Sequence, residues 1–121
     1  MSSILVLEDD RAVLHVVHDL LCIEGHEVTP MRSGEGAVAA IEAHAIDLVI
    51  TDLIMPDRHG HQVILDIRRN HMQLPIIAIS GDGDLGEQGL NTALLLGANA
   101  KLDKPFSREQ LISTVSAVLW K

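Results

Sequence analysis

Side chains able to bind ions stand at the ends of four apolar stretches of this sequence. They are Glu8, Asp9 and Asp10 after the first, Asp52 after the second, Ser80 after the third and Lys104 after the fourth. Asp52 marks the clearest strand end, because Met55-Pro56 follows it and forces the backbone out of regular structure. An isolated Asp before such a loop usually caps a turn. Whether Asp52 belongs to a functional site therefore depends on whether the other side chains lie close to it.

The elements that must position these side chains alternate between strand and helix. We predict strands over residues 3–8, 27–29, 47–52, 75–80 and 100–103, each followed by apolar residues at helical spacing. Such alternation predicts an α/β fold with a parallel sheet, right-handed crossovers and helices on both faces. The near-continuous apolar run before Asp52 is typical of a strand buried on both faces. The ends of parallel strands share one sheet edge, where ligands of such folds bind.

Several residues predict where the helices begin and end. Asp9 or Asp10 caps the first helix, and Gly25 ends it. Ser33 caps the second helix, and the third ends near residues 68–70. A glycine-rich loop, residues 81–89, precedes a fourth helix that begins at Leu90 and ends at Gly97. Ser107 and Gln110 have the spacing of a capping box at the last helix.

Composition narrows the class of protein. The chain has 121 residues, of which 47% are hydrophobic, enough for one domain over residues 1–121 with its own core. A formal net charge of −8 argues against nucleic-acid binding, which needs clustered Lys and Arg. Cys22 is the only cysteine, so neither an intrachain disulfide nor a zinc-type Cys cluster is expected. With no signal peptide and no apolar stretch near ~20 residues, we expect a soluble, cytoplasmic protein that makes no membrane contact.

Four motifs together resemble the receiver domain of two-component response regulators. They are Leu5-Val6-Leu7-Glu8-Asp9-Asp10, Thr51-Asp52-Leu53-Ile54-Met55-Pro56, Ile79-Ser80 and Lys104-Pro105-Phe106. Each motif is weak alone, but all four occur in the family's order and cover essentially the whole chain. The resemblance implies a flavodoxin-like, doubly wound sheet of five strands in the order 2-1-3-4-5.

The resemblance assigns roles to the residues at the strand ends. It implies that Asp52 accepts a phosphoryl group from a phosphohistidine, with Lys104 and the Ser80 hydroxyl contacting the phosphoryl oxygens. It also implies Mg²⁺, or Mn²⁺, held by Glu8, Asp9, Asp52 and the backbone carbonyl of Ile54. These roles agree with phosphoryl-transfer chemistry, which depends on positioning and charge neutralisation, and with the oxygen ligands that Mg²⁺ prefers. A cis peptide bond before Pro105 is a further expectation.

The same resemblance predicts partners, and it shows where this chain departs from the family pattern. The donor would be a sensor histidine kinase or a histidine phosphotransfer protein, and the output a partner bound at the face of helix 4, strand 5 and helix 5. The chain would act as a stand-alone, chemotaxis-regulator-like receiver, not as a turnover enzyme. However, Lys101 replaces the aromatic switch residue of many receivers, and His59 replaces an acid before Gly60. Apolar Ile54 predicts slow loss of the phosphoryl group to water, which Asp82 could partly offset.

Alternative functions fit parts of the sequence. The protein could be a phosphate shuttle within a phosphorelay, a pseudo-receiver that binds partners without phosphorylation, or a small nucleotide-binding or magnesium phosphohydrolase enzyme. Gly81-x-Gly83-x-x-Gly86 spells a dinucleotide fingerprint, but it follows the fourth strand and carries two acids. Asp82 and Asp84 do not complete a calcium loop, and His59 with His61 lacks further metal ligands. Ser80 has no identifiable His-Asp partners for a hydrolase triad.

Overall fold

A computed structural model describes residues 2–55, 60–81 and 86–119 of the chain. Five strands alternate with five helices along this part. In chain order they are β1 (Ser3–Leu7), α1 (Arg11–Ile23), β2 (Glu27–Met31), α2 (Ala37–His44), β3 (Leu48–Asp52), α3 (Gly60–Asn70), β4 (Ile76–Ser80), α4 (Gly86–Leu96), β5 (Ala100–Asp103) and α5 (Arg108–Leu119). Every strand predicted from the sequence is present.

The strands form one parallel sheet in the order β2-β1-β3-β4-β5, which confirms the predicted topology. All residues of β3 and β4 are buried, because neighbouring strands flank them and helices cover both faces. The edge strands β2 and β5 are only partly buried. Burial on both faces explains the apolar runs of β3 and β4, and partial burial explains the weaker patterns of the edge strands.

Two apolar layers cover the sheet, one on each face. On one face α2, α3 and α4 pack against alternate residues of the strands, with buried members that include Leu5, Leu7, Val49, Ile41, Ile64, Ile67 and Ala93. On the other face α1 and α5 do the same, with Ile4, Val6, Ile50, Val17, Leu21, Leu111 and Val115. The alternation of residues 4 to 7 between the two layers follows from the two-residue period of a strand. In the part of the chain that the structure describes, no helix could span a membrane.

Most of the predicted helix ends are confirmed. The Asp10 carboxylate accepts hydrogen bonds from the backbone N–H groups of Ala12 and Val13 and caps α1. Gly25, with a φ of 90°, follows the C-cap of that helix, where a left-handed backbone favours glycine. Ser107 and Gln110 form the reciprocal bonds of a capping box at α5, of 3.0 and 2.8 Å.

Some element boundaries differ from the prediction. Ser33 does not cap α2: its hydroxyl accepts from the N–H of Glu35, and Gly36 is the N-cap residue. Strand β2 continues through Pro30, which an edge strand tolerates because one side of its backbone is unpaired. Helix α4 begins at Gly86, so the predicted loop 81–89 is too long and the predicted start at Leu90 is wrong. Residues 82–85 lie outside the described part of the chain.

Candidate functional site

Three of the predicted site residues meet at the carboxyl-terminal edge of the sheet. The Lys104 Nζ lies 2.7 Å from Glu8 Oε1 and 2.9 Å from Asp52 Oδ2. Glu8 and Asp52 are only 2% and 4% exposed. Charge-assisted contacts of this length are strong when water is largely excluded. One ammonium group therefore holds two buried carboxylates that are distant in sequence.

The strand order explains this convergence. Strands β1 and β3 are neighbours, with Leu7 opposite Thr51, so Glu8 and Asp52 emerge side by side. Lys104 follows β5 and its backbone N–H donates to the Ser80 carbonyl at 2.8 Å, which places it beside the end of β4. Its long side chain then reaches past β4 to the two acids. The predicted cis peptide bond between Lys104 and Pro105 is present.

The charges of this cluster perturb one another. Burial is the largest cause that raises the pKa of Glu8, from 4.5 to about 7, and Asp52 raises it further through a hydrogen bond and charge repulsion. The bond to Lys104 and the N–H of Asp10, 3.1 Å from Glu8 Oε2, offset part of this rise. For Lys104, burial alone would lower the pKa of the ammonium group, but Glu8 and Asp52 raise the pKa above its usual 10.5.

Ser80 supplies a polar group beside the acids. It ends β4, the strand next to β3, and is 1% exposed. Its hydroxyl oxygen has no hydrogen-bond partner among the residues that the structure describes. A buried hydroxyl without a partner is costly, and such groups are uncommon in native structures. This hydroxyl is thus available to a ligand bound at the end of the sheet.

The predicted metal ligands are only partly assembled. Within residues 2–55, 60–81 and 86–119, no three His, Cys, Asp or Glu side chains are gathered so that they could hold a metal ion. Glu8 and Asp52 share Lys104, whereas Asp9 is partly exposed and its carbonyl accepts from the guanidinium of Arg32 at 3.4 Å. The Ile54 N–H donates to Asp52 Oδ1 at 3.3 Å, so its backbone borders the site.

The donor set nevertheless fits a hard divalent cation. Two buried carboxylates face one ammonium group, which leaves excess negative charge at a site with little water. Carboxylate and carbonyl oxygens are the ligands that Mg²⁺ prefers. Asp9 directly follows Glu8 in the sequence and carries a third carboxylate. The chemistry of the residues therefore agrees with the predicted magnesium site, although Asp9 is not gathered with the other two acids.

Sequence reasoning missed one residue that shapes the site. Gly60, at the start of α3, is buried, and a Cβ there would collide with the Asp52 carbonyl oxygen and the Leu53 Cα. Its N–H donates to the Leu53 carbonyl at 2.8 Å. A glycine soon after Met-Pro was visible in the sequence, but its contact with the backbone of Asp52 depends on how α3 packs. His59, Asp82 and Asp84 lie outside the described residues.

Comparisons with known proteins agree with this fold. The model of the response regulator receiver domain family matches residues 4–116. The chain is 33% identical to the transcriptional regulatory protein CpxR of Klebsiella pneumoniae over 98% of its own length and 50% of the relative's. It is also 33% identical to the regulatory protein VanRc of Enterococcus gallinarum, again over 98% and 50%. Among solved structures, the receiver domain of NtrX from Brucella abortus has a TM-score of 0.90 and 30% identity, with 98% of each chain covered.

The chain belongs to the response regulator receiver domain family. The fold and the family predicted from the four strand-end motifs are confirmed. The chain spans about half the length of the curated relatives it matches. That residues 1–121 act as a stand-alone receiver stays a prediction, because the relatives extend beyond the matched segment.

Proposed function

We propose that Asp52 accepts a phosphoryl group from a phosphohistidine and that this phosphorylation changes partner binding. The observation that carries the proposal is the Lys104 ammonium, which lies 2.9 Å from Asp52 and 2.7 Å from Glu8 at the end of the sheet. Membership of the receiver family supports a signalling role of this kind.

In the proposed reaction, an Asp52 carboxylate oxygen attacks phosphorus. The new O–P bond forms an acyl phosphate as the P–N bond to the donor imidazole breaks, and the imidazole leaves with that electron pair. Lys104 already contacts Asp52 Oδ2, so its ammonium can follow the negative charge onto the phosphoryl oxygens as a point charge. The donor would be a sensor histidine kinase or a histidine phosphotransfer protein.

The hydroxyl of Ser80 would donate a hydrogen bond to a phosphoryl oxygen. Its burial and its lack of a partner among the described residues support this role. Mg²⁺, held by Glu8, Asp9, Asp52 and the Ile54 carbonyl, would neutralise the charge that accumulates on the phosphoryl group. Mn²⁺ has similar ligand preferences and could replace it.

The proposal includes the output surface and the cellular setting. The face of α4, β5 and α5 exposes Leu95, which is 88% exposed, together with Lys101 on β5. An exposed apolar residue suits a protein partner better than nucleic acid, and the net charge of −8 agrees. We place the protein in the cytoplasm, where phosphohistidine donors of this family are expected.

The test is to incubate the protein with Mg²⁺ and acetyl phosphate and to measure its intact mass. We expect one hydroxylamine-sensitive phosphoryl group, which Asp52→Asn abolishes. Asp47→Asn is a matched control, because Asp47 lies just before the opposite end of β3 and its carboxylate accepts from the Ser3 N–H instead. Turnover of the donor without retained phosphate would indicate a hydrolase. No uptake at all would indicate a pseudo-receiver, and either result would overturn the proposal.

A further inference from the structure

The first residue of α3 is fixed against the backbone of the proposed phosphoacceptor. Gly60 donates to the Leu53 carbonyl at 2.8 Å, and the space where its side chain would stand is filled by backbone atoms of Asp52 and Leu53. Because no side chain separates them, a displacement of the Asp52 backbone is passed directly to the start of α3.

The next residue, His61, connects that start to α4. Its Nε2 lies 2.8 Å from the backbone carbonyl oxygen of Gly89, and the contact is partly buried. A carbonyl oxygen can only accept, so Nε2 carries the proton and donates. Gly89 itself is buried. The backbone that carries Asp52 is therefore tied to α4 through two consecutive residues, Gly60 and His61.

A second connection reaches α4 from the other side of the site. Strand β4 ends at Ser80 and α4 begins at Gly86, so residues 81–85 join the helix to the buried Ser80, whose hydroxyl has no hydrogen-bond partner among the described residues. On β5, the Lys101 Nζ also contacts α4, at an exposed position 3.3 Å from Asn91 Oδ1.

We infer that the His61–Gly89 hydrogen bond holds α4 in the position of the unphosphorylated domain and opposes its displacement on phosphorylation. The inference rests on the proposed function of Asp52. His61 is a positioning residue, because it acts on the site through its bond to the Gly89 carbonyl of α4.

Displacement of α4 and phosphorylation of Asp52 are thermodynamically linked, and this linkage has a measurable consequence. A bond that favours the unphosphorylated position of α4 must weaken the binding of any phosphoryl mimic at Asp52 by the same factor. Loss of one partly buried hydrogen bond should therefore tighten binding of the mimic roughly 2- to 10-fold.

The experiment titrates beryllofluoride in the presence of Mg²⁺ and follows backbone amide resonances of Ala93 in α4 and of Lys104 at the site. His61→Leu removes the donor, and His61→Phe, which keeps a planar ring, serves if the first variant folds poorly. His61→Gln restores an N–H donor. Gln62→Leu is the matched control, because the Gln62 side chain donates to Asp66 within α3, at 3.1 Å.

We expect His61→Leu and His61→Phe to bind beryllofluoride more tightly than the unmodified protein and to show Ala93 resonances already shifted towards the bound position. His61→Gln and Gln62→Leu should stay within about 2-fold of the unmodified protein, since neither removes the bond to Gly89. Folded His61→Leu and His61→Phe with unchanged or weaker affinity would overturn the inference and leave the proposed function intact. Failure of the unmodified protein to bind beryllofluoride would instead overturn the proposed function.

Discussion

Glu8 and Asp52 share a single ammonium group, that of Lys104, at distances of 2.7 and 2.9 Å. Two buried carboxylates thus depend on one cation that is distant from both in sequence. Their negative charge is only partly neutralised, which agrees with the raised pKa of Glu8. The same imbalance that attracts a divalent cation to the site also makes the metal-free protein sensitive to the loss of Lys104 and to pH.

Replacement of Lys104 by Met should destabilise the metal-free protein. Both carboxylates would stay buried without their cation, and removal of one partner from such a group costs about 2 kcal/mol after allowance for the partial exposure of Lys104. The loss should be larger at pH 8 than at pH 5, because Glu8 can keep its proton at the lower pH. Urea unfolding in EDTA at both pH values measures the effect.

Lys101→Met is the control for this measurement. Lys101 is exposed and contacts Asn91 rather than the acids, so its replacement should change the free energy of unfolding by less than about 0.5 kcal/mol at either pH. Equal losses in the two variants would contradict the assignment of Lys104 as the counterion of Glu8 and Asp52.

The raised pKa of Glu8 predicts a pH dependence of stability. In the folded protein this pKa is about 7 instead of 4.5, so between these values the folded state holds a proton that the unfolded chain has released. The stabilising contribution of protonated Glu8 is complete below pH 4.5, falls as the pH rises to about 7 and is constant above it. The total change is roughly 3 kcal/mol.

Glu8→Gln removes this titration and isolates its effect. We expect the difference in unfolding free energy, unmodified protein minus variant, to decrease from pH 4.5 to pH 7 in EDTA. Chemical denaturation across that range provides the measurement. A difference that increases with pH would mean that Glu8 is held ionised in the folded protein and that its burial does not dominate.

The sequence predicted the sheet and the residues at its edge because both depend on local patterns. The apolar runs before Glu8, Asp52 and Ser80 identify strands, and parallel topology then brings their ends together without knowledge of any contact. The position of Lys104 at this edge follows from the same rule. That its ammonium contacts both Glu8 and Asp52 does not, because this depends on distances of a few tenths of an ångström.

Features set by packing between elements could not be predicted in this way. The glycines of residues 81–89 predicted a loop, but α4 begins at Gly86, since burial of Ala93 against the sheet outweighs weak helix propensity. Ser33 has a suitable side chain for an N-cap, yet the chain turns once more before α2 begins. The contact of Gly60 with Asp52 and the bond from His61 to Gly89 link elements whose relative positions leave no local pattern.

Gly60→Ala should be destabilising although alanine favours helices. The new methyl group would collide with backbone atoms of Asp52 and Leu53, which can move only if the proposed phosphoacceptor moves. We expect a net loss of about 2 kcal/mol together with slower phosphorylation by acetyl phosphate. Thermal unfolding and the initial rate of phosphate uptake measure the two effects.

Gly25→Ala separates these two effects. Gly25 has a φ of 90° and open space around its Cα, so alanine there costs about 1 kcal/mol through backbone strain alone. It lies after α1, away from Asp52, and its replacement should leave the rate of phosphorylation unchanged. If both glycine variants slowed phosphorylation equally, loss of stability alone would explain the effect of Gly60→Ala.

Ile54 should make the acyl phosphate long-lived. Its N–H donates to Asp52 Oδ1, so the residue borders the proposed phosphoacceptor, and it is apolar and 38% exposed. An apolar side chain cannot orient a water molecule for attack on phosphorus. Ile54→Asn would supply a donor and an acceptor at the same place and should shorten the half-life of the phosphoprotein about 5-fold, the effect of one added hydrogen bond.

Ile54→Val, which stays apolar, should leave the half-life unchanged. Loss of phosphate followed by intact mass after removal of acetyl phosphate provides the measurement; a half-life of seconds in the unmodified protein would show that another group, such as Asp82, already positions the water.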